Sequence, residues 1–319
     1  MKKYFCTLFD KNYLIKGLSM IESLNKNCKE CKIFVLCLDK ETKYILEKIS
    51  IEQLHCISLE EVENDELIYA KSTRNIAEYC WTLASYFTWY VMENNKNVKL
   101  LTYLDADLFF YSSVEPIFEE IGDSSISIIE HRFSKPFKSL EINGRFCVEW
   151  NTFRRDEEGL NCLNTWRKQC LEWCYYKLEE NRMGDQKYLD EWPNKYKSCH
   201  IIQNEGAGIA PWNYSSYDIQ KINKKIFINN TNLIFYHFHQ FQLLPNEKFY
   251  RLSEIYTSYK REPNEIYKVY EQSLLCSLQK IRLINKDFSF GIKKINYRLI
   301  DKIKNLIPRN IKDFIRRII

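Results

Sequence analysis

Residues 100–111, LLTYLDADLFFY, carry an apolar run directly into two carboxylates, Asp105 and Asp107, which are one residue apart. Successive side chains of a strand point to opposite faces, so the two acids of an Asp-x-Asp pair share one face. Two like charges held this close raise each other's pKa unless a cation lies between them. The pair therefore indicates either a strand that ends in solvent or a metal site.

The segments around this stretch alternate between strand and helix patterns. Apolar runs rich in β-formers predict strands, and apolar residues spaced by three or four predict helices. In chain order these are a strand at 4–9, a helix at 14–24, a strand at 32–39, a helix at 74–92 and a strand at 100–104. The alternation predicts an α/β fold with a mixed, mainly parallel sheet that helices cover on both faces. Ligands bind beyond the carboxyl ends of such strands, which favours a site at Asp105 and Asp107.

The second half of the chain has a less regular pattern. We expect a helix at about 156–178, a short helix in GDQKYLDEWP (184–193) and a final strand in NLIFYHFHQF (232–241). The pattern of 249–275 predicts a helix that Pro263 divides in two.

The composition indicates a globular protein of 319 residues, 45% hydrophobic and 28% charged. The net charge of +5 is distributed unevenly along the chain. Residues 277–319 hold twelve Lys or Arg and three Asp, so the other 276 residues have a net charge of −4. No apolar run is long enough for a signal-peptide core or a transmembrane helix. We therefore expect the twelve cysteines to be reduced and mostly buried in a cytosolic protein. Cys28 and Cys31 have zinc-knuckle spacing but lack a second pair.

The final predicted strand carries His237 and His239, which alternation places on one face with Phe235. A lone strand histidine is more often a core or surface residue than a ligand. Two on one face, in a chain with five histidines, favour a ligand modestly. Carboxylates with one imidazole suit Mn²⁺ or Mg²⁺, and the imidazole favours Mn²⁺.

Several elements in order resemble glycosyltransferase family 8, which has the GT-A fold, and related bacterial surface-polysaccharide transferases. They are NYLIKGLSMIESL (12–24), Tyr-Leu-Asp-x-Asp (103–107), GDQKYLDEWP, the loop GAGIAPWN (206–213) and YHFHQF (236–241). The resemblance covers residues 1–245 and implies a GT-A catalytic domain there. It implies a metal-dependent glycosyltransferase that moves a sugar from a nucleotide-sugar donor, expected to be a UDP-sugar, to a glycan or lipid-linked acceptor. The expected pathway is the synthesis of bacterial surface polysaccharide, either lipopolysaccharide or capsule.

The same resemblance implies a metal bound by Asp105, Asp107 and a late histidine. His237 is the first choice because it matches the family's order of His before Phe, and His239 is the fallback on the same face. Asp105 would reach the metal directly or through water and the ribose of the nucleotide.

The segment at 184–193 resembles the part of retaining enzymes that lies near the anomeric carbon of the donor sugar. Asp185 would hold hydroxyls of that sugar, and Gln186 would lie on its reacting face. Because Gln is a poor nucleophile, the resemblance implies a same-face substitution assisted by the leaving phosphate. Asp185 could instead be an acid that complements the dipole at the start of a helix.

Six further residues are candidates from their match to the family. Thr7 and Asp10 end the first strand, where the family places its contacts to the base and ribose, and Tyr13 is a further candidate for the nucleotide. Thr7 and Asp10 could instead form a turn that caps the helix at Tyr13. Arg74 is a candidate for the basic residue on the helix before the Asp-x-Asp, with Lys71 a second candidate and Trp81 near the expected position. Asn151 stands where the family has Asn-x-Gly, without the Gly, and His131 is a candidate for the acceptor side.

The basic charge is concentrated at the C-terminus. We predict a helical extension at 246–278 and a basic amphipathic tail at 279–319, with an apolar stripe at Ile292, Ile295, Leu299, Ile303 and Leu306. Such a helix is typical of in-plane binding to an anionic membrane surface. Packing on the body or on a second subunit is the other interpretation. With a lipid-linked acceptor, we expect a cytoplasmic protein peripherally associated with the inner face of the cytoplasmic membrane.

Two other functions match single features. A haloacid-dehalogenase-type phosphatase also places Asp-x-Asp after an apolar strand. Such enzymes normally have Thr or Val two residues after the second Asp, where this chain has Phe109. A non-catalytic peripheral membrane protein acting through its tail is the main alternative. The acidic body argues against nucleic acid as a partner. Under the metal hypothesis, Asp107→Ala abolishes transfer and leaves the fold intact, because it removes one of two repelling charges.

Overall fold

The computed structural model describes residues 2–256 and 261–293. The strands are β1 (Lys3–Phe9), β2 (Cys31–Cys37), β3 (Leu54–Ser58), β4 (Leu100–Leu104), β5 (Leu108–Phe110), β6 (Ile126–Glu130), β7 (Phe146–Arg154), β8 (Cys199–Ile201), β9 (Ile219–Ile222), β10 (Lys225–Ile228), β11 (Thr231–Asn232), β12 (Phe235–His237), β13 (Gln242–Leu244) and β14 (Lys248–Tyr250). The α-helices are α1 (Leu14–Asn27), α2 (Lys40–Ile49), α3 (Leu59–Val62), α4 (Asp65–Thr73), α5 (Ile76–Asn94), α6 (Glu115–Ile121), α7 (Glu157–Glu172), α8 (Trp192–Lys195) and α9 (Asn264–Ile284).

A seven-stranded sheet in the order β3-β2-β1-β4-β7-β6-β8 forms the centre of the fold. The pairs β1–β2, β1–β4, β2–β3 and β6–β8 are parallel, and β7 runs antiparallel to both of its neighbours. Helices cover both faces: one buried cluster includes residues of α1 and α9, and the other includes residues of α5 and α7. The predicted α/β fold with a mixed, mainly parallel sheet is confirmed.

Helix α5, which precedes the strand with the acids, begins at a capping box. Asn75 accepts a hydrogen bond from the Glu78 N–H at 3.0 Å, and the Glu78 carboxylate accepts from the Asn75 N–H at 2.9 Å. These two bonds satisfy donors that a helix start otherwise leaves open, so the helix begins at Ile76, two residues after the predicted start.

Two predicted helices are corrected by the structure. The helix expected at 156–178 ends at Glu172, because Trp173 is extended. The helix expected at 249–275 is wrong in its first part, where β14 pairs with β13 and a short 3-10 turn covers 254–256. The pairing of β14 with β13 therefore overrides the helical pattern of 249–256. Helix α9 begins after Pro263 and packs on α1 and α2.

The final strand is also shorter than expected. Strand β12 stops at His237, and Gln240 has a φ of 58°, a left-handed conformation that a strand cannot continue. Phe238 still reaches the core, where its ring stacks on Tyr270 with centroids 3.7 Å apart.

No helix within residues 2–256 and 261–293 is long and apolar enough to cross a membrane. The predicted amphipathic tail falls on 294–319 for most of its length, outside the described residues. Its binding to a membrane, and the division of the chain at 245 and 278, remain predictions.

Candidate active site

The Asp-x-Asp segment lies between two strands of different sheets. Strand β4 ends at Leu104, and β5 begins at Leu108 and pairs antiparallel with β12, with Leu108 opposite His237. The Phe238 N–H also donates to the Asp107 carbonyl at 2.9 Å. This pairing brings a histidine from late in the chain to the end of a strand near its middle.

Asp105, Asp107 and His237 form a compact group of possible metal ligands. His237 Nε2 lies 3.0 Å from Asp107 Oδ1 and 3.9 Å from Asp105 Oδ2. One ligand atom from each residue lies within 4.8 Å of the others. Asp107 and His237 are buried and Asp105 is partly open, so a bound cation would have one accessible side.

Three residues that the sequence analysis did not single out surround this group. The Tyr103 hydroxyl donates to Asp105 Oδ1 at 3.2 Å, and Lys16 Nζ lies 3.8 Å from Asp107 Oδ2. Glu149 Oε2 lies 2.6 Å from His237 Nδ1. The only sequence signal for Glu149 is an acid inside the apolar strand pattern FCVEWNTF, which does not reveal its partner.

The two aspartates differ in their electrostatic surroundings. Burial raises the pKa of Asp105 to about 7. The charge of His237 lowers this pKa, and the negative charge of Asp107 raises it further. Burial also raises the pKa of Asp107, but the charge and hydrogen bond of His237, with Lys16, hold that pKa well below its usual range. Burial lowers the pKa of His237, but the negative charge of Asp107 and its hydrogen bond raise it by more, so the pKa of His237 lies well above its ordinary value. A divalent cation would take the place of the proton on His237.

His239 lies beside this group and faces another partner. Its Nδ1 is 2.8 Å from the Tyr256 hydroxyl, and its ring centroid is 5.6 Å from that of Trp212. Burial, with the nearby charge of His237, lowers the pKa of His239 to about 4. Among the described residues, the possible ligand groups include His237 and not His239.

Asp185 lies close enough to Asp105 for their charges to interact, and Gln186 follows it in the chain. Gly184 has a φ of 56°, and a Cβ there would lie 3.3 Å from the Trp81 ring, so this tight turn brings Trp81 against the segment. The Asp185 side chain is buried, and burial together with the charge of Asp105 raises its pKa well above the usual value. Gln186 donates through Nε2 to the Asn143 carbonyl at 3.1 Å.

The candidates at the N-terminal end have mixed positions. Thr7 is buried in β1. Asp10 accepts hydrogen bonds from the Asn12 and Tyr13 N–H groups at 3.0 and 3.2 Å, which makes it the acid of a turn before α1. Tyr13 is 43% exposed, and the charge of Asp107 is the main reason that its pKa is raised. Tyr13 thus lies at the open edge of the acidic group.

Of the three candidates for sugar contacts, Arg74 and His131 are hydrogen-bonded to protein groups, whereas neither polar atom of the buried Asn151 side chain has a hydrogen-bond partner among the described residues. Arg74 donates to the Thr82 hydroxyl and, at 2.7 Å, to the Leu171 carbonyl. Asn151 is buried in β7 opposite Tyr103 of β4. His131 stacks on Phe133 with centroids 4.6 Å apart, and burial lowers its pKa to about 3. The structure therefore gathers Asp105, Asp107 and His237, with Asp185 and Tyr13 at the edges, more closely than this second set.

Comparisons with known proteins identify the chain's family. The sequence model described as Glycosyl transferase family 8 matches residues 6–190, which is more than half of the chain. This chain belongs to glycosyl transferase family 8. It is therefore a glycosyltransferase, and the resemblance stated from the sequence is confirmed.

Similarity to other proteins extends beyond the region that the family model matches. The uncharacterized protein YfnD of Bacillus subtilis (strain 168) is 31% identical over 296 residues, covering 90% of this chain and 94% of YfnD. The uncharacterized protein YfnF of the same organism is 29% identical over 297 residues, covering 91% and 97%. The crystal structure of the glycosyltransferase GlyE of Streptococcus pneumoniae TIGR4 covers 91% of this chain and 65% of its own, with a TM-score of 0.51 and 12% identity. This likeness concerns the fold, and the predicted GT-A fold with a C-terminal helix is confirmed.

Proposed function

We propose that this glycosyltransferase transfers a sugar from a nucleoside diphosphate donor, a UDP-sugar, with a divalent cation bound by Asp105, Asp107 and His237. The observation that carries the proposal is the group of two carboxylates and one imidazole at the carboxyl end of β4. Oxygen ligands with one imidazole nitrogen fit Mn²⁺, with Mg²⁺ the alternative. When bound, such an ion neutralises charge on the diphosphate and orients it.

The chain's own side chains would serve the rest of the donor. Lys16 is mostly buried beside Asp107 and carries the positive charge that suits a phosphate oxygen. Tyr13, which is exposed at the edge of the acidic group, would contact the nucleoside, and Asp10 and Thr7 would support the turn and the strand before it.

We assign Asp185 to the donor sugar because its buried carboxyl interacts with the charge of Asp105, and because the neighbouring Gly184 packs against Trp81. The Gln186 amide is bonded to the main chain, which keeps its side chain in one orientation. An amide is a poor nucleophile, so we favour a same-face substitution with retention, in which the bond from the anomeric carbon to the phosphate oxygen breaks as the acceptor oxygen attacks. The leaving phosphate oxygen takes the proton of the acceptor. Arg74, Asn151 and His131 remain candidates for donor or acceptor contacts.

The acceptor in this proposal is a glycan or lipid-linked glycan of a bacterial surface polysaccharide. A lipid-linked acceptor would explain the basic amphipathic sequence of 279–319, which favours an anionic membrane surface. Co-sedimentation of the full chain with vesicles of anionic and of zwitterionic lipid tests this part: binding to anionic vesicles alone supports it, and binding to neither contradicts it.

The metal and nucleotide are tested by calorimetric titration of UDP into the full-length protein, with and without Mn²⁺, and with GDP as the control. We expect UDP to bind only when Mn²⁺ is present, and GDP to bind more weakly. The proposal is wrong if neither nucleotide binds under any metal condition. Retention is tested separately by the anomeric configuration of the first-formed product, measured by NMR with a donor that the protein turns over.

A further inference from the structure

The His237 ring has charged partners on both of its nitrogens. Its Nε2 faces Asp107 at 3.0 Å, and its Nδ1 lies 2.6 Å from Glu149 Oε2. Glu149 is a fully buried acid at the middle of β7. A carboxylate is rarely placed in such surroundings without a charged or hydrogen-bonding partner, and His237 is that partner.

Glu149 cannot share a metal ion with Asp105 and Asp107 through this histidine. The two nitrogens of an imidazole point away from each other, so an ion on Nε2 is on the opposite side of the ring from Glu149. Cys147, Glu149 and His237 also lie within 4.8 Å of one another, but the Nδ1 that an ion there would need is already bonded to Glu149. The carboxylate therefore acts on His237 rather than on an ion of its own.

Glu149 also contacts the site through its main chain. The Asp105 N–H donates to the Glu149 carbonyl at 3.2 Å, so β7 fixes the backbone of one proposed ligand and the side chain of another. Gly208, with a φ of 70°, makes room for the acid, since a Cβ at that position would lie 2.8 Å from Glu149 Oε1. Strand β7 thus sets the position of Glu149, and the glycine at 208 leaves the space that its carboxylate occupies.

We propose that Glu149 is a positioning residue for the metal site: by accepting the Nδ1 proton of His237 it holds the ring so that Nε2 presents its lone pair to the cation. This inference rests on the proposed function, because it assigns Glu149 a role at the same site. A carboxylate behind a ligating histidine fixes the orientation of the ring and increases its basicity. Loss of such a partner commonly costs roughly 10- to 100-fold in metal affinity.

The test is the affinity for Mn²⁺ of nucleotide-free, full-length protein, measured by electron paramagnetic resonance of the free ion. The variants are Glu149→Gln, Glu149→Asp, His237→Ala and the double variant Glu149→Gln with His237→Ala. Glu149→Asp keeps the buried charge and breaks the 2.6 Å bond, so it serves if the Gln variant does not fold. The matched control is Glu120→Gln, which alters the other Glu–His pair, Glu120 with His200 at 2.9 Å.

We expect Glu149→Gln or Glu149→Asp to weaken Mn²⁺ binding by roughly 10-fold or more, and Glu120→Gln to leave it unchanged. In the His237→Ala background, Glu149→Gln should have no further effect, because Glu149 acts through His237. Wild-type affinity in a folded Glu149 variant would overturn the inference, and so would an equal loss with and without His237. Absence of Mn²⁺ binding by the wild type would overturn the proposed metal site as well, which separates the two failures.

Discussion

Two Glu–His pairs among the residues that the structure describes have the same chemistry and opposite surroundings. At the outer edge of the sheet, His200 of β8 lies 2.9 Å from Glu120 of α6, with the side chains 28% and 22% exposed. At the end of β12, His237 lies 2.6 Å from Glu149, with the side chains 5% and 1% exposed. In the outer pair the Glu120 carboxylate also accepts hydrogen bonds from the main chain at Gln203 and Asn204, so it fixes a loop.

The difference shows that burial and the second ring nitrogen decide what such a pair does. Water screens the outer pair, and pairs of this kind contribute about 0–1 kcal/mol to stability. In the interior the same contact is stronger, and breaking it leaves a buried charged group without its partner. Of the two histidines, His237 has acids on its other nitrogen, which makes the inner pair part of the possible metal-ligand group.

We call the group of Asp105, Asp107, His237 and Glu149, with His239 beside it, the inner region. The largest expected effect tests whether this region binds a metal ion at all. Asp107→Ala should reduce transfer by more than about 100-fold, because a direct ligand contributes more than an outer partner. The assay is turnover of a UDP-sugar with saturating Mn²⁺. Full activity in this variant, or in wild-type protein with excess chelator, would show that Asp107 holds no required metal.

The structure changes the expectation for the stability of this variant. Asp107 is not simply one of two repelling charges, because His237 and Lys16 both lie against it. Its removal leaves two buried cationic groups without their main partner, which should lower the free energy of unfolding by about 1–3 kcal/mol. Urea unfolding of metal-free protein measures this, and unchanged stability would mean that repulsion from Asp105 offsets these contacts.

The next effect compares the two histidines of the inner region. We expect His237→Ala to lower kcat/KM by roughly 100-fold and His239→Ala by less than about 10-fold. The reason is that His237 Nε2 faces the acids, whereas His239 Nδ1 is paired with the Tyr256 hydroxyl. The two variants are measured side by side at equal Mn²⁺, and the reverse order would place the third ligand at His239.

A smaller effect concerns the buried cation beside Asp107. Lys16→Met should weaken binding of UDP by about 10-fold while uridine, which lacks phosphates, binds as before. Lys43→Met is the matched control, because Lys43 forms a 2.8 Å ion pair with Glu61 away from the acidic group. Equal losses for UDP and uridine would indicate that Lys16 supports the site only through Asp107 or the fold.

The smallest effect belongs to the outer pair. Glu120→Gln should leave turnover within experimental error and lower the free energy of unfolding by no more than about 1 kcal/mol, since its surroundings are partly exposed. Thermal unfolding and the transfer assay together measure both quantities. A loss of activity comparable to that of His237→Ala would remove the distinction between the inner and outer regions.

Much of the fold was predictable because its signals are local. The alternation of strand and helix patterns predicted the mixed sheet, and the apolar run before Asp105 predicted that the acids follow a strand. The helix predicted at 249–275 was wrong in its first part because β14 pairs with β13, a contact that depends on where the two segments meet in space. The strand expected to reach His239 stops at His237 for a similar reason, since Gln240 turns the chain away.

The sequence by itself determined which segments are buried, where the acids follow a strand and which histidines compete for the third position. Burial follows from apolar residues that repeat with periods of 2.0 or 3.6 residues, and the acids and histidines lie within single short segments. All of these features are therefore visible without knowledge of the fold. The tertiary structure alone decided that His237 meets Asp107, that Glu149 lies behind the ring and that Lys16 lies beside the acid. These partners are far apart in the chain, and they meet only because β12 and α1 both contact β5 and β4 pairs with β7.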